Sequence, residues 1–311
     1  MHLSQITPFQ YFECDPPLLR WMKISNTRLY ILTLIAMVTW GLSWTNAKIL
    51  GFYGDAPLMM FWRFIFASIS FAPIVIWTKN SFNLDKKGLQ FVLLNSVFMT
   101  SYNYFYFKGT QVGLAGAGGV LVTTMNPINT AILAAIIFNS PLFRKDIAGM
   151  ILGFIGGGLI INIVEMDMNL LFQSGNIYFI MASLSWAVVT LITSKSKDVI
   201  AFIPYSFWCF TVSIFMSLIL AFDQPLMSIF QFDGIFWLNM MCLAIGAMAF
   251  ATSIYFLASV QLGAQKASAF IFTVPVTAMI FAMIYLNESL TPSTVVGSIL
   301  AMIAVYLINK K

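Results

Sequence analysis

Apolar segments of about 20 residues recur along almost the whole chain, and they constrain its fold more than any other feature. Ten such segments are predicted, at 29–48, 57–78, 89–107, 115–138, 146–164, 175–194, 201–222, 235–257, 267–287 and 292–309. A helix of this length spans a bilayer, whereas transmembrane β-strands alternate apolar and polar residues. The loops between the segments are short and carry most of the charge. The sequence therefore predicts an all-α membrane protein with ten transmembrane helices.

The composition excludes a soluble protein. Hydrophobic residues make up 60% of the 311 residues and charged residues only 9%, whereas soluble domains are about 25% charged. The net charge of +5 comes from scattered basic residues beside apolar segments, which indicates topology signals and not a nucleic-acid surface. Cys14, Cys209 and Cys242 are far apart. We therefore expect no disulfide framework, no metal site and no cofactor.

Lysine and arginine are distributed unevenly between the two sides that ten spans define. Thirteen lie on the side of the N-terminus, only Lys48 and Lys108 lie on the opposite side, and Arg63 lies within a span. Cytoplasmic loops are enriched in these residues. We therefore expect both termini in the cytoplasm, with residues 1–28 as a lead that contains no signal peptide. Met1 and Met22 are both acceptable starts of translation.

One segment of the chain occurs twice. TTMNPINTAILAAIIFNSPL begins at Thr123, and IFTVPVTAMIFAMIYLNESL begins 148 residues later at Ile271. The identities include Pro127 with Pro275, Asn139 with Asn287 and Leu142 with Leu290. Further matches, such as Trp40 with Trp186, predict two five-helix halves at 29–164 and 175–309. An odd number of spans reverses direction, so the halves form an inverted repeat of the kind found in secondary transporters.

The paired prolines have a predicted role in this arrangement. A proline in the middle of a helix removes a backbone donor and clashes with the preceding turn. Pro127 and Pro275 are each expected to kink or interrupt a helix near the bilayer midplane. Irregular backbone is tolerated there when it lines a cavity. Helix packing alone is the alternative explanation for either proline.

Several short motifs, in order, resemble a known family. They are WGLSW in the first span, FWRF in the second, YFKGTQVG after the third, the two proline helices, and LNESL at the end of the ninth. The chain resembles the drug/metabolite transporter superfamily, specifically ten-span proteins with two EamA domains. The resemblance implies a bacterial inner-membrane carrier of small organic metabolites, often an exporter of amino acids or related compounds. It also implies a cavity lined by spans 1, 3, 4, 6, 8 and 9.

The chain departs from the family pattern at one position. The family often ends both proline helices with a glutamate. Glu288 fits this pattern, but its counterpart in the first half is Ser140. A role that requires both carboxylates is therefore not expected here.

Aromatic and polar side chains inside the spans are the candidates for substrate contact. Tryptophan near a span centre is unusual because it normally lies at the headgroups, so Trp40 and Trp186 are expected either to line a cavity or to pack between helices. The polar end of the third span predicts a cavity face, with an interfacial tyrosine belt as the alternative. Polar residues beside the prolines either meet a substrate or satisfy freed carbonyls. The predicted substrate-binding residues are Trp40, Trp44, Asn95, Tyr102, Asn103, Tyr106, Asn126, Pro127, Thr130, Trp186, Thr273, Pro275 and Thr277.

Two charged residues have a different predicted role. Arg63 is the one charge well inside a span, where an ionisable group indicates function, although its side chain could also extend to the interface. A gating or structural role is favoured over substrate contact because the second span is not a cavity helix in the resembled family. Glu288, at the outer end of the ninth span, is predicted to gate or to anchor.

These features predict a secondary transporter that works by alternating access on a small organic solute. An anionic or zwitterionic solute is favoured over a dication because acidic residues are scarce. The glycine-rich segment at 113–119 lacks the P-loop pattern and is expected to pack helices closely. No set of catalytic residues is found, so an enzyme is not expected; a membrane scaffold, a channel and an enzyme are the alternatives. Small residues in the fifth and tenth spans predict packing within a monomer or across a homodimer.

Overall fold

The computed structural model describes residues 24–139, 141–160, 175–197, 199–262, 270–289 and 291–309. All regular secondary structure in these ranges is helical, so the predicted all-α class is confirmed. The predicted lead at 1–28 lies mostly outside the described residues. The α-helices are α1 (Asn26–Leu50), α2 (Ala56–Trp77), α3 (Lys86–Val112), α4 (Ala115–Phe138), α5 (Arg144–Ile160), α6 (Asn176–Ser196), α7 (Phe202–Leu220), α8 (Gly234–Met241), α9 (Thr252–Gln261), α10 (Thr273–Leu286) and α11 (Pro292–Asn309).

Two stretches of other helical geometry complete the fold. A π-helical segment (Cys242–Ala251) joins α8 to α9 without a break, and 3₁₀ turns occupy Leu226–Gln231 and Phe270–Phe272. Within the described residues, six helices are long and apolar enough to cross a membrane, among them the continuous Gly234–Tyr255. Three shorter apolar helices cover 146–160, 273–286 and 292–304. The ten-span count therefore stays a prediction.

The two halves of the chain begin and end equivalent helices with the same residues. Asp85 caps α3 by accepting a 2.7 Å hydrogen bond from the Gly88 N–H. Asp233, 148 residues later, caps α8 by accepting one of 3.0 Å from the Phe236 N–H. Asn139 and Asn287 follow α4 and α10 with left-handed φ angles of 51° and 53°. Asparagine tolerates this conformation and stops a helix, so the sequence repeat is also a repeat of local structure.

The contacts between helices are also matched between the halves. Equivalent helices pack on each other in the pairs α2 with α7, α4 with α10 and α5 with α11. The remaining major contacts come in related pairs. The contact between α1 and α10 corresponds to the contact between α6 and α4. The contact between α3 and α6 corresponds to the contact between the π-helical segment and α1. This pattern is the one expected for two similar units related by an approximate two-fold axis.

The contact between α5 and α11 depends on the absence of side chains. A Cβ atom on Gly156 would lie 2.7 Å from the Gly297 carbonyl oxygen, so the two backbones approach closely. A Cβ atom on Gly153 would meet Ile128 of α4 and would lie 3.3 Å from Ala304 of α11, and one on Gly157 would lie 3.3 Å from the Met125 sulfur of α4. Packing within the protomer therefore accounts for these small residues.

The two prolines occupy different positions in their helices. Pro127 lies inside α4, which continues from Ala115 to Phe138 without interruption. Pro275 is the third residue of α10 and follows a 3₁₀ turn. The first N–H groups of a helix have no intrahelical partner, so a proline there removes little. Pro127 therefore does not interrupt α4. Residues 263–269 lie outside the described residues, so the predicted break of the ninth span near Pro275, and a kink at either proline, stay predictions.

Candidate functional site

Tyr106 of α3 is the centre of an aromatic cluster inside the bundle. Its side chain is 1% exposed, and its hydroxyl donates a 2.6 Å hydrogen bond to the Ser43 carbonyl of α1. The ring lies 4.7 Å from that of Trp44 and 5.7 Å from that of Tyr102 between centroids. The Tyr106 side chain is therefore enclosed by other helices, and its depth in the bilayer stays a prediction.

The cluster continues from α3 to α6. The ring of Tyr102 lies 4.6 Å from that of Trp186, and Trp44 contacts Phe179 at 6.1 Å between centroids. Trp186 remains partly exposed. We call Trp44, Tyr102, Tyr106 and Trp186 the aromatic cluster. It joins three of the helices that were predicted to line the cavity.

Arg63 of α2 points into the same cluster. Its guanidinium carbon lies 4.9 Å from the Tyr106 ring centroid and 5.7 Å from that of Phe107. Nη1 donates a 2.9 Å hydrogen bond to Oδ1 of Asn103. The Asn103 amide also donates to the Met99 carbonyl at 2.9 Å, which directs its oxygen towards Arg63. With 6% exposure, Arg63 lies inside the helical bundle.

Trp40 has partners of a different kind. Its indole N–H donates a 2.8 Å hydrogen bond to the Ala247 carbonyl in the π-helical segment, and its ring lies 5.4 Å from that of Tyr255. π-Helical turns are rare and occur frequently at functional sites. Trp40 thus connects α1 to the irregular part of the α8–α9 helix.

Asn95 lies apart from the other candidates. Its amide nitrogen is 3.3 Å from the Cys209 sulfur, and the neighbouring Ser96 hydroxyl donates to the Cys209 carbonyl at 3.1 Å. These contacts place Asn95 between α3 and α7, about 12 Å along α3 from Asn103 given a rise of 1.5 Å per residue. The structure therefore does not bring it to the aromatic cluster.

The polar residues beside Pro127 bond mainly within the protein. The Thr130 hydroxyl lies 3.3 Å from Oδ1 of Asn126, one turn away on α4. Asn129, which flanks the same proline, donates a 2.9 Å hydrogen bond to Ser183 of α6. Asn126 and Thr130 are both partly exposed, so their remaining polar atoms face a surface of the bundle.

Beside Pro275, the predicted threonines stabilise the start of α10. The Thr277 hydroxyl donates to the Thr273 carbonyl at 2.9 Å. Thr277 also lies directly against Gly41 of α1, where any larger residue would clash with the threonine and the Ala278 backbone. Gly119 of α4 is likewise closed off by Ala278 and Trp44. The predicted close packing of the glycine-rich segment is thereby confirmed.

Glu288 connects the end of α10 to the beginning of α4. Oε1 accepts a 2.7 Å hydrogen bond from the Ala115 N–H, and Oε2 accepts one of 2.9 Å from the Gly116 N–H. A carboxylate at a helix N-terminus is favoured by unpaired N–H groups and by the helix dipole. We call this arrangement the Glu288 clamp.

Sequence reasoning missed a second contact at the same turn. The Lys48 ammonium of α1 donates to the carbonyls of Gln111 at 3.2 Å and of Gly113 at 2.7 Å. Lys48 and Glu288 therefore hold the two sides of the α3–α4 turn. The available signal was its position, since Lys48 is one of two basic residues on the side that is otherwise poor in them. Ser43 was also missed because its contribution is a backbone carbonyl.

These features define a class, namely a multi-pass α-helical membrane protein with an aromatic and polar cluster inside its bundle. The chain belongs to the EamA-like transporter family, whose model matches twice, over residues 27–162 and 173–310. It is thereby a member of the drug/metabolite transporter superfamily, as the resemblance implied. Members of such families are generally not enzymes.

Several relatives agree with this family, and one solved structure has a similar fold. An uncharacterized transporter of Bacillus subtilis, YyaM, is 24% identical over 91% of this chain and 93% of its own length. An uncharacterized transporter of Archaeoglobus fulgidus is 23% identical over 92% of this chain and 99% of its own. A chloroplastic WAT1-related protein of Arabidopsis thaliana is 26% identical over 68% of this chain and 52% of its own. A protein crystal structure with 14% identity has a TM-score of 0.62 and covers 91% of this chain and 96% of that chain, which supports the fold alone.

Proposed function

We propose that this protein is a secondary transporter that moves a small organic metabolite by alternating access. The observation that carries the proposal is the matched packing of the two halves, in which α2, α4 and α5 each contact their own equivalents. Five spans per half would invert one half relative to the other. In transporters of that architecture, the halves move as units around a site near the midplane.

The orientation in the membrane is part of the proposal. The excess of lysine and arginine on the side of the termini supports cytoplasmic termini in a bacterial inner membrane. The Glu288 clamp would then lie at the outer end, where it ties α10 to α4. The structure would represent a state that is closed on the outside. The partners would be the lipid bilayer and the solute, with no nucleic acid, and the protein would act as a monomer or a homodimer.

The aromatic cluster is the proposed binding site. Its side chains come from α1, α3 and α6. A movement of these helices relative to one another would therefore change the access of the solute to the aromatic cluster. Trp186 and Tyr102 are only partly buried, so they offer ring faces to a bound molecule. Aromatic faces bind flat or apolar groups. The path of the solute beside the aromatic cluster would be lined by Trp40, Asn126, Thr130, Thr273 and Thr277.

Transport into proteoliposomes tests this function. The purified protein is reconstituted, and uptake of each of the 20 amino acids, of nucleosides and of organic acids is measured with and without a proton gradient. Saturable and concentrative uptake that is absent from protein-free liposomes is expected. Non-saturable equilibration would indicate a channel, and chemical conversion without movement would indicate an enzyme. The substitution Trp186→Ala is expected to lower uptake, and normal uptake in that variant would exclude the proposed site.

A further inference from the structure

The guanidinium of Arg63 is buried without a counter-charge among the residues that contact it. Within the described part of the chain, its side chain donates one hydrogen bond, from Nη1 to the neutral amide of Asn103. Nε is buried and has no partner. A guanidinium carries five N–H donors in a planar fork. The neutral amide of Asn103 therefore does not balance the charge of Arg63, and it accepts a hydrogen bond from only one of the N–H donors.

The sequence offers no acidic residue on the helices around Arg63. Aspartate and glutamate are absent from α1, α2, α3 and α6. Among the described helices, α5 alone contains an acidic residue, Asp146. Its carboxylate accepts a 2.8 Å hydrogen bond from the Phe143 N–H at the start of its own helix. An unpaired charge inside a membrane protein is costly and indicates a site for an ion or a ligand.

The free part of the guanidinium has the geometry of a carboxylate site. Asn103 occupies Nη1, which leaves the edge formed by Nε and Nη2. Paired N–H groups on one edge bind a carboxylate with two parallel hydrogen bonds. The rings of Tyr106 and Phe107 lie against the guanidinium and fix its plane.

We propose that Arg63 binds a carboxylate of the transported solute, while the aromatic cluster encloses the apolar body of that solute. The inference rests on the proposed transport function and narrows it to organic acids and zwitterions, including amino acids. Asn103 is then a positioning residue that holds the guanidinium. This assignment differs from the gating or structural role that the sequence favoured, because Arg63 and the predicted cavity residues share contacts.

The test uses the full-length protein in detergent and compares matched ligands. Phenylacetate, L-phenylalanine and L-leucine are each titrated beside their neutral or cationic counterparts, namely phenylacetamide, phenethylamine and L-leucinamide, in a thermal-shift assay. Sulfate and inorganic phosphate form a second arm that separates carboxylate binding from general anion binding. We expect at least one carboxylate to raise Tm, with its counterpart about 10- to 100-fold weaker, as for loss of a charged hydrogen-bonded pair. Stabilisation by amines or amides, equal stabilisation by sulfate or phosphate, or no stabilising carboxylate would overturn the proposal.

Three variants distinguish binding from a structural role. Arg63→Gln removes the charge but keeps an amide donor, and Arg63→Lys keeps the charge but not the fork; both are expected to abolish or weaken the carboxylate effect. Asn103→Asp supplies an internal counter-charge, so it should raise the Tm of the free protein and remove the carboxylate effect. The control Lys195→Gln removes an exposed charge that lies 4.3 Å from the Phe138 ring and should leave the effect unchanged.

The outcomes also separate this proposal from transport itself. Uptake of a carboxylate solute that is unchanged in Arg63→Gln would leave the transport function standing and would exclude Arg63 as a carboxylate site. If Arg63→Gln fails to fold, Asn103→Asp decides the question alone. A folded Asn103→Asp protein that is still stabilised by carboxylates as strongly as the unmodified protein would contradict the proposal.

Discussion

Helices α4 and α10 both end in an asparagine with a left-handed backbone, but the residues that follow differ. After Asn287 the chain continues with Glu288, whose carboxylate binds the α4 N-terminus. After Asn139 it continues with Ser140, which lies outside the described residues. The same backbone stop is therefore used twice, whereas the carboxylate is present once. The two repeats therefore differ at this turn, because the Glu288 side chain joins α10 to the N-terminus of α4 and the sequence has no carboxylate at the equivalent position 140.

The strongest test of this difference is Glu288→Gln. The amide has the same shape but only one acceptor oxygen and no charge, so at least one of the two charge-assisted hydrogen bonds to α4 is lost. Hydrogen bonds to charged groups contribute about 1.5–3 kcal/mol each, and transport is expected to fall about 10-fold or more. Uptake in proteoliposomes measures this effect. The control is Ser140→Ala, which is expected to transport normally; an equal loss in both variants would show that the asymmetry has no functional meaning.

The asparagine stops themselves are expected to contribute next. Asn287→Ala places alanine in the left-handed region, which costs about 1–2 kcal/mol and is not offset by the local hydrogen bonds that an asparagine side chain makes. We also expect it to displace the neighbouring Glu288. Asn139→Ala has the same backbone cost without the clamp. Thermal unfolding in detergent should therefore show a larger loss for Asn287→Ala. Glycine at either position should restore stability, and failure of Asn287→Gly to do so would show that the asparagine side chain is itself required.

The repeated tryptophans provide a smaller effect. Trp40→Phe removes the hydrogen bond to the Ala247 carbonyl, which contributes about 1 kcal/mol. Trp186→Phe keeps an aromatic ring beside Tyr102. We expect Trp40→Phe to lower Tm more than Trp186→Phe does, whereas Trp186→Ala should lower transport more than stability. A larger loss of Tm in Trp186→Phe than in Trp40→Phe would contradict the hydrogen bond between Trp40 and the π-helical segment.

The smallest expected effect concerns the two aspartate caps. Tyr53 donates a 2.7 Å hydrogen bond to Asp233, and this bond, followed by that from the Phe236 N–H, lowers the pKa of Asp233 below 3.8. A lowered pKa in the folded protein means that the stabilisation is present at neutral pH and is lost as the pH falls through that lowered pKa. Tyr53→Phe should move this loss to higher pH. Tm measured between pH 2 and pH 5 tests the shift, with Asp85→Ala as the variant that removes the equivalent cap of α3.

Much of the fold was predictable because a bilayer leaves few alternatives. Apolar segments indicated the helices, and the repeat paired Asn139 with Asn287, which the structure shows to follow the ends of α4 and α10. The exact behaviour of the prolines was not predictable. Whether Pro127 breaks its helix depends on how neighbouring helices support the turn before it, and a single segment carries no information on its neighbours.

The candidate site was predicted in part. Tyr102, Asn103 and Tyr106 were identified as polar residues on an apolar span. The structure brings Tyr102 and Tyr106 together with Trp44 and Trp186, and it places Asn103 against Arg63. Asn95 had the same sequence signal but lies against Cys209 between α3 and α7. Polarity inside a span shows that a residue needs a partner; it does not show whether that partner is another helix or a solute.

The sequence by itself determined that this protein is a bundle of membrane helices in two similar halves. The length of the apolar segments and the repeated proline and asparagine positions can be read from the chain alone. Only the tertiary structure placed Arg63 against Asn103 and Tyr106, and Glu288 on the first N–H groups of α4. These contacts join residues 40 and 173 positions apart. Their distances depend on how the helices pack, and hydropathy specifies that a side chain is buried without specifying which side chain it meets.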